Sequence, residues 1–540
     1  MSQRPGHASE RKAVLELEQL HLRYPGAEQW TLNGLDLRIT AGEHLALVGP
    51  SGCGKSTVAK AALQLLPTGS VCEGTLRLNG RDPRGLSRRN LQQLRGEAVG
   101  LVFQDPMTRL NPLMTVGGHL LDTLRAHGPE MPLKAQRERA EELLERVSIG
   151  ADRFNAYPHE FSGGMRQRLA IALAICLQPP LVIADEPTTS LDVAVAGQVM
   201  AELRQLCDGL GSALLLISHD LAMAHRWCDR MAVLDGGKVV ETSSSTTVLT
   251  QPSSRVGQRL VKAARQREGG NTPSAPTATT ALQVEELRCW HNLGGTPWSP
   301  RWLKAVDGVS FQVQAGESLG VVGGSGCGKS TLCRALMGLS PIRGGQVWLQ
   351  GVNLLQQRGA RKRLLRRSIQ MVFQDPLACL NPAMCVSDAI ADPLLIHGLR
   401  SKTAARERAR ELLELVGVSP AEQFQNRRPR QLSGGQQQRV AIARALALEP
   451  KVLICDESVS MLDAEIQADV LNLLRTLQHR LGLAMVFVTH DLSVASGFCH
   501  QVIVLDHGRI VEQGPGDQML ARPKAAITQK LMDACPRLPT

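Results

Sequence analysis

Two stretches carry the residue types of a loop that wraps an anion: GPSGCGKST from Gly49 to Thr57, and GGSGCGKST from Gly323 to Thr331. Consecutive backbone N–H groups can turn inward around phosphate oxygens only where no Cβ blocks the curvature, which accounts for Gly49, Gly52 and Gly54 around Ser51 and Cys53. The second copy repeats the arrangement with Gly323, Gly326 and Gly328 around Ser325 and Cys327. Lys55 and Lys329 add positive charge, and the hydroxyls of Ser56 and Ser330, followed by Thr57 and Thr331, can each serve a Mg²⁺ ion. In the first copy the apolar run from His44 leads into the loop and a helical pattern follows it, the strand, loop and helix context that G-x-x-x-x-G-K-[ST] requires. A glycine-rich turn with a stray lysine does not account for two copies.

A second pair of stretches ends an apolar strand in two carboxylates, LVIADEP from Leu181 and VLICDES from Val452. Asp185 and Asp456 are placed to hold the metal through its water shell. Glu186 and Glu457, one residue on, are placed to polarise an attacking water, since phosphoryl transfer needs an oriented nucleophile more than a strong base. Acidic residues at a strand end are often mere solvent caps; downstream of a phosphate loop they read as chemistry.

The elements that must position these groups come twice. The loop lysines are 274 residues apart, VFQDP returns after 270, and SGG, the DE pair and the HDL triplet each return after 271. Residues 1–268 and 281–540 therefore read as two copies of one domain, and 269–280, GGNTPSAPTATT, rich in Gly, Pro, Ser, Thr and Ala with no charge and no apolar periodicity, as a flexible tether.

Alternation in Leu15–Leu22 and Leu282–Leu287 reads as an opening strand in each half. Short apolar runs such as LVIAD and LLLIS alternate with helical patterns, which predicts a mainly parallel α/β core.

Bulk composition narrows the function classes. With 540 residues the chain exceeds one ordinary domain, and 43% hydrophobic with 21% charged residues matches a soluble globular protein. Only 3% of residues are aromatic, which leaves little for a base-stacking surface and argues against nucleic acid as a partner. The net charge of +11 is mild for this length. The densest basic stretch, Arg361, Lys362, Arg363, Arg366 and Arg367, reads as a solvated helix face. Thirteen cysteines are scattered with no Cys-x-x-Cys pair, and Cys176 and Cys455 sit in apolar runs as small core residues, which fits a reducing cytoplasm. Met1–Lys12 has no apolar core of a signal peptide. The most apolar stretch, from Leu169 to Ile183, is interrupted by Gln178, Pro179 and Pro180, so any membrane role is expected to involve other chains.

SGGMRQR from Ser162 and SGGQQQR from Ser433, each lying between a phosphate loop and an acidic pair, resemble the signature motif of ATP-binding-cassette proteins. The resemblance covers nearly the whole chain. It implies two tandem P-loop NTPase domains, each with a mainly parallel sheet core, an antiparallel β subdomain and a helical signature subdomain, binding ATP and Mg²⁺. In that family each nucleotide is closed between one domain's phosphate loop and the other's signature, so Lys55 is expected to work with Ser433, Gly434, Gly435 and Gln436, and Lys329 with Ser162, Gly163 and Gly164. A serine and two glycines at a helix N-terminus offer N–H groups and a dipole suited to a γ-phosphate. Gln104 and Gln374 match the Q-loop, which reaches Mg²⁺ and the attacking water; His219 and His490 match the switch histidine; SLD at Ser190–Asp192 and MLD at Met461–Asp463 match the D-loop. Tyr24 matches the adenine-stacking aromatic of the first half, with Trp290 and His291 both candidates in the second. Met165 replaces the usual Gln in the first signature and Ser458 replaces Pro after the second acidic pair; neither change removes a phosphate-touching group, so two hydrolytic sites are expected.

QDPMTRLNPLMTV from Gln104 and QDPLACLNPAMCV from Gln374 resemble the peptide, opine and nickel importer group. That resemblance implies two transmembrane permease subunits as partners, an extracytoplasmic binding protein acting through them, and a place on the cytoplasmic face of the inner membrane. A soluble ATP-driven switch on ribosomes or nucleic acid, and an exporter, are the competing expectations. The long charged linker of translation factors, the paired cysteines of repair members and the heptads of chromosome members do not occur in the sequence.

Overall fold

The computed structural model describes residues 12–128, 130–189, 191–268, 278–296, 299–459 and 462–539. The described residues form two compact units, one chiefly of residues 12–264 and the other chiefly of 265–535. Most of the expected tether, residues 269–277, lies outside the described residues, and its last residue, Thr280, already opens a strand.

In the first unit the strands are β1 (Ala13–Arg23), β2 (Leu32–Thr40), β3 (His44–Val48), β4 (Val71–Leu78), β5 (Gly100–Val102), β6 (Leu181–Asp185), β7 (Ala213–Ile217), β8 (Arg230–Asp235) and β9 (Lys238–Ser244). Six of them make one sheet in the order β5-β6-β7-β3-β8-β9, parallel except for β9 against β8. Every residue of HLALV and ALLLI is buried, as expected for parallel strands covered by helices on both faces. The remaining strands form a separate antiparallel sheet, β2-β1-β4, whose alternating leucines Leu15, Leu17, Leu20 and Leu22 turn into a core shared with Val58 and Leu47.

The second unit repeats this plan with β10 (Thr280–Thr296), β11 (Ser299–Gln314), β12 (Ser318–Val322), β13 (Gly344–Leu349), β14 (Val352–Asn353), β15 (Ile369–Val372), β16 (Val452–Asp456), β17 (Ala484–Thr489), β18 (Gln501–Asp506) and β19 (Arg509–Pro515). Its six-stranded sheet runs β15-β16-β17-β12-β18-β19, and its antiparallel sheet runs β11-β10-β13-β14. The β10–β11 hairpin is longer than its first-unit counterpart, with 17 and 16 residues against 11 and 9 in β1 and β2. In both units the phosphate loop leaves the central strand of the large sheet, β3 or β12, and the acidic pair leaves β6 or β16, two positions away with β7 or β17 between them. This is the carboxyl-end placement at which open α/β sheets bind ligands.

Candidate functional site

The phosphate loops are shaped by backbone demands that only glycine meets. Gly54 and Gly328 sit at φ 109° and 111° immediately before the helices Lys55–Ala62 and Lys329–Leu336, and a Cβ at Gly328 would run into the carbonyl oxygen of Ala305. At Gly49 and Gly323 a Cβ would meet the carbonyls of Leu234 and Leu505, so the neighbouring strand closes the back of the cradle. Lys55 is buried and its Nζ donates to the carbonyls of Gly49 at 2.7 Å and Pro50 at 2.9 Å. Lys329 does the same to Gly323 at 2.7 Å and Gly324 at 3.0 Å. A buried ammonium whose hydrogen bonds go to neutral carbonyls is poised for an anionic partner, and in the second unit Glu457 Oε1 already stands 3.9 Å from Lys329 Nζ. Cys53 and Cys327 lie buried under the loops, and burial pushes both thiols up.

Beside each loop a glutamine, a glutamate and a histidine from three separate segments converge. Gln104 Nε2 donates to Glu186 Oε2 at 2.9 Å, and Gln374 Nε2 donates to Glu457 Oε2 at 2.9 Å. His219 Nδ1 stands 3.2 Å from Glu186 Oε1, and His490 Nδ1 3.7 Å from Glu457 Oε1. Both glutamates end their strand ladder normally, with Glu186 N donating to Ile217 and Glu457 N to Val488, and then take φ of 47° and 45°. A left-handed conformation on a non-glycine residue costs on the order of 1 kcal/mol and persists only where surrounding contacts fix it. Here it turns the carboxylates from the strand's alternation toward the glutamines. The HDL triplets have a division of labour: Asp220 accepts from Met223 N at 3.0 Å and Asp491 from Ser493 N at 2.9 Å, capping the next helix, so the preceding histidine is held against the glutamate.

Electrostatics separates the two carboxylates of each pair. Burial holds Asp185 and Asp456 above the usual carboxylate range, the adjacent glutamate adding to it. Burial pushes Glu186 up as well, but the hydrogen bond and charge of His219, with Thr189 and Lys55, outweigh it and the net shift is downward. Glu457 is lowered in the same way against burial by His490 and Lys329. Burial alone would lower His219, yet Glu186 brings its net shift above the ordinary value. Thr189, whose hydroxyl donates to Glu186 Oε2 at 3.1 Å, is a site residue that motif spacing did not single out. Its position three residues after Glu186 is the only signal for it.

At the signature motifs Ser162 and Ser433 are N-caps of the helices Gly163–Ile175 and Gly434–Leu446, accepting from the N–H groups of Met165 at 3.4 Å and Gln436 at 3.3 Å. In the second unit Gln436 Oε1 also accepts from Ser433 N at 3.0 Å, completing a capping box that Met165 cannot form. Gly164 and Gly435 are buried, and a Cβ on either would meet Val195 or Ile466 on the following helix, so these glycines serve helix packing within their own unit. Gly163 and Gly434 are exposed at the first helical turn. Of the D-loop residues, Ser190 and Met461 lie outside the described residues.

Tyr24 follows β1, and its hydroxyl lies 3.2 Å from Thr57 Oγ1, which ties the aromatic to the phosphate loop. In the second unit Trp290 and His291 lie within β10, opposite Lys304 and Leu303 of β11. Lys304 Nζ lies 4.9 Å from the Trp290 ring centroid. The first unit has a cation–aromatic pair at the same corner, Arg23 over Trp30 at 5.2 Å.

Comparison with known proteins fits this geometry. The ABC transporter family model matches residues 32–189 and again 306–460. The chain belongs to the ABC transporter family. Over 97% of its length it is 36% identical to the oligopeptide transport ATP-binding protein OppD of Mycobacterium tuberculosis, of which 98% is covered. It is 37% identical to the glutathione import ATP-binding protein GsiA of Pectobacterium atrosepticum, covering 98% of this chain and 91% of that one. It is 38% identical to the peptidoglycan transport ATP-binding protein YejF of Agrobacterium fabrum, covering 94% and 93%.

As an ABC ATPase, the chain binds ATP and couples its hydrolysis to transport. The donor set beside each loop suits a hard divalent cation: Ser56 Oγ donates to Asp185 Oδ1 at 3.0 Å, and in the second unit Asp456 Oδ1 is a buried carboxylate oxygen with no hydrogen-bond partner. Among the described residues no helix is long and apolar enough to cross a membrane.

Proposed function

We propose that this ABC ATPase is the energy-coupling subunit of a peptide importer, acting at the cytoplasmic face of the inner membrane with two permease subunits and an extracytoplasmic binding protein. The names of OppD, GsiA and YejF support a peptide or peptide-derived solute. The Q-loop sequences that resemble the peptide, opine and nickel importer group support the same class.

The observation that carries the mechanism is the convergence of Gln104 on Glu186, and of Gln374 on Glu457, beside a buried lysine. In our reading Lys55 and Lys329 neutralise the β- and γ-phosphates, and the loop N–H groups of Gly52, Cys53 and Gly54, with their second-unit equivalents, cradle them. Ser56, Asp185 and Gln104, and likewise Ser330, Asp456 and Gln374, would hold Mg²⁺, which would supply positive charge against the negative charge that develops in phosphoryl transfer. Glu186 and Glu457 orient the attacking water, while His219 and His490 contact the γ-phosphate and hold the glutamates in place. Tyr24 stacks on one adenine. Each ATP is completed by the signature serine and glycines of the opposite half, so that occupancy closes the halves and hydrolysis releases them.

The reading is tested by reconstituting the chain with its permease subunits in vesicles and measuring ATP-dependent uptake of a labelled oligopeptide delivered by the binding protein. Uptake is expected, and it is expected to vanish with Lys55→Ala and Lys329→Ala combined. ATP-driven movement of nickel but not of peptide would replace the substrate class, and efflux would reverse the direction.

A further inference from the structure

The glutamate in the turn before the phosphate-loop strand has different company in the two units. In the first, Glu43 Oε2 accepts from Thr40 N at 2.9 Å and from Thr40 Oγ1 at 2.8 Å, and its Oε1 accepts from Nη1 of Arg230, the first residue of β8. A second pair crosses the small sheet of that unit, where Arg38 Nε stands 4.0 Å from Glu16 Oε1 on paired strands. Each carboxylate there has its own guanidinium.

The second unit keeps the turn and its acid, with Ala315, Gly316 and Glu317 in the places of Ala41, Gly42 and Glu43, and Glu317 Oε2 accepts from Gln314 N at 2.7 Å. The guanidiniums are replaced. Gln312 faces Gln283 across β11 and β10 where Arg38 faces Glu16, so that exchange neutralises both partners. Gln501 opens β18 beside Leu319 where Arg230 opens β8 beside Leu45, and this exchange removes the cation while leaving the carboxylate.

What results is a groove of about 470 Å³ on the second unit. Its polar wall is formed by Gln283, Gln312, Gln314, Gln501 and Gln513 with the carboxylates of Glu285 and Glu317, and the buried Val284 and Phe311 back it. Glu285 Oε1 accepts from Gln283 Nε2 at 2.7 Å and Oε2 from Trp348 Nε1 at 3.4 Å, both neutral donors. No Lys, Arg or His is among the described lining residues, so the groove carries two negative charges against none. A carboxylate set among amide oxygens matches a planar cation with several N–H donors, and the amide N–H groups can serve an acceptor elsewhere on the same molecule.

We propose that this groove binds a guanidinium-bearing solute of amino-acid or dipeptide size, with its guanidinium on Glu317 in the place that Arg230 takes on Glu43 and its carboxylate or carbonyl end on the glutamine amides. The fit is one the molecule itself displays, since an arginine side chain fills the equivalent place in the first unit. The site is apart from the ATP-binding residues but not remote from them in the chain: Glu317 directly precedes β12, which runs into the phosphate loop at Gly323, so an occupant rests at the foot of the strand that carries that loop. The inference uses second-unit side chains alone and stands whether the transported solute is a peptide or not.

The test is equilibrium dialysis of the nucleotide-free full chain against labelled L-arginine and glycyl-L-arginine, with L-citrulline, whose ureido group has nearly the same shape without the charge, as the comparison. One arginine per chain is expected, bound at least about tenfold more tightly than citrulline. Gln501→Arg, which restores inside the chain the ion pair of the first unit, is expected to abolish binding while the thermal midpoint is kept or raised, and this separates loss of the site from loss of the fold. Glu317→Gln is expected to weaken binding at least about tenfold. No uptake of either arginine compound at millimolar concentration, equal uptake of citrulline, or undiminished arginine binding by Gln501→Arg would overturn the proposal. None of these results bears on the transport reading, which is tested separately with the permease subunits.

Discussion

In the first half Glu186 takes hydrogen bonds from Gln104 and Thr189 and stands 3.2 Å from His219, whereas in the second half Glu457 takes the same 2.9 Å bond from Gln374 but lies 3.7 Å from His490 and 3.9 Å from Lys329. What stays fixed between the halves is the glutamine contact and the left-handed backbone that aims the carboxylate. What varies is the surrounding charge and capping. The invariant part is the part that an attacking water would meet, and the variable part tunes how firmly it is held. The same contrast extends outward, where the second signature helix closes with a reciprocal capping box and the first with the Ser162 cap alone.

The most severe way to break this comparison is to remove both glutamates' charge. Glu186→Gln with Glu457→Gln is expected to cut phosphate release by a factor on the order of 10² or more, with each single variant keeping part of the turnover; a single variant as inactive as the double would show that the halves are not independent hydrolytic centres. Next in size, His219→Ala is expected to slow hydrolysis more than His490→Ala, by about tenfold against a few-fold, because His219 is the closer partner; steady-state assays of the two variants decide the order.

A smaller effect concerns pH. Glu186 is lowered, so its contribution to stability is present above the unfolded carboxyl range and is lost as pH falls through its folded value. His219 is raised, so its contribution is present below 6.5 and is lost as pH rises through its higher folded value. The pair is therefore doubly charged between those limits. NMR titration of the nucleotide-free chain is expected to place the His219 midpoint above 6.5, and Glu186→Gln to bring it below, since burial then acts without its counter-charge. The smallest effect is at the signature caps: Gln436→Met is expected to cost about 0.5–1 kcal/mol and Met165→Gln to be neutral or stabilising, measurable as opposite shifts of denaturant midpoint.

Much of this was legible in the residues. The repeat fixed the order of the landmarks, and the buried runs HLALV and LVIAD announced parallel strands because residues covered on both faces must be apolar throughout. Gln104, Glu186 and His219 were singled out separately by motif, and the sheet brings them together because β5, β6 and β7 are neighbours. Thr189 was not legible, since a threonine near a strand end has many uses and only the turn after Glu186 aims its hydroxyl. The basic stretch is divided for a related reason: Arg361 and Arg363 are exposed, as a solvated face requires, while Arg366 and Arg367 each bury their Nε, and nothing in a one-dimensional charge run reveals which guanidiniums turn inward. Trp290 and His291 are adjacent in one strand, so their side chains leave on opposite faces, and the sequence does not say which face meets a nucleotide.

The central claim is that one chain carries two complete nucleotide sites. It is tested most directly by measuring how many ATP molecules the Glu186→Gln/Glu457→Gln chain retains after rapid removal of free nucleotide in the presence of Mg²⁺. Two unhydrolysed ATP per chain are predicted. Retention of a single ATP, or release of phosphate at the unaltered rate, would contradict the account.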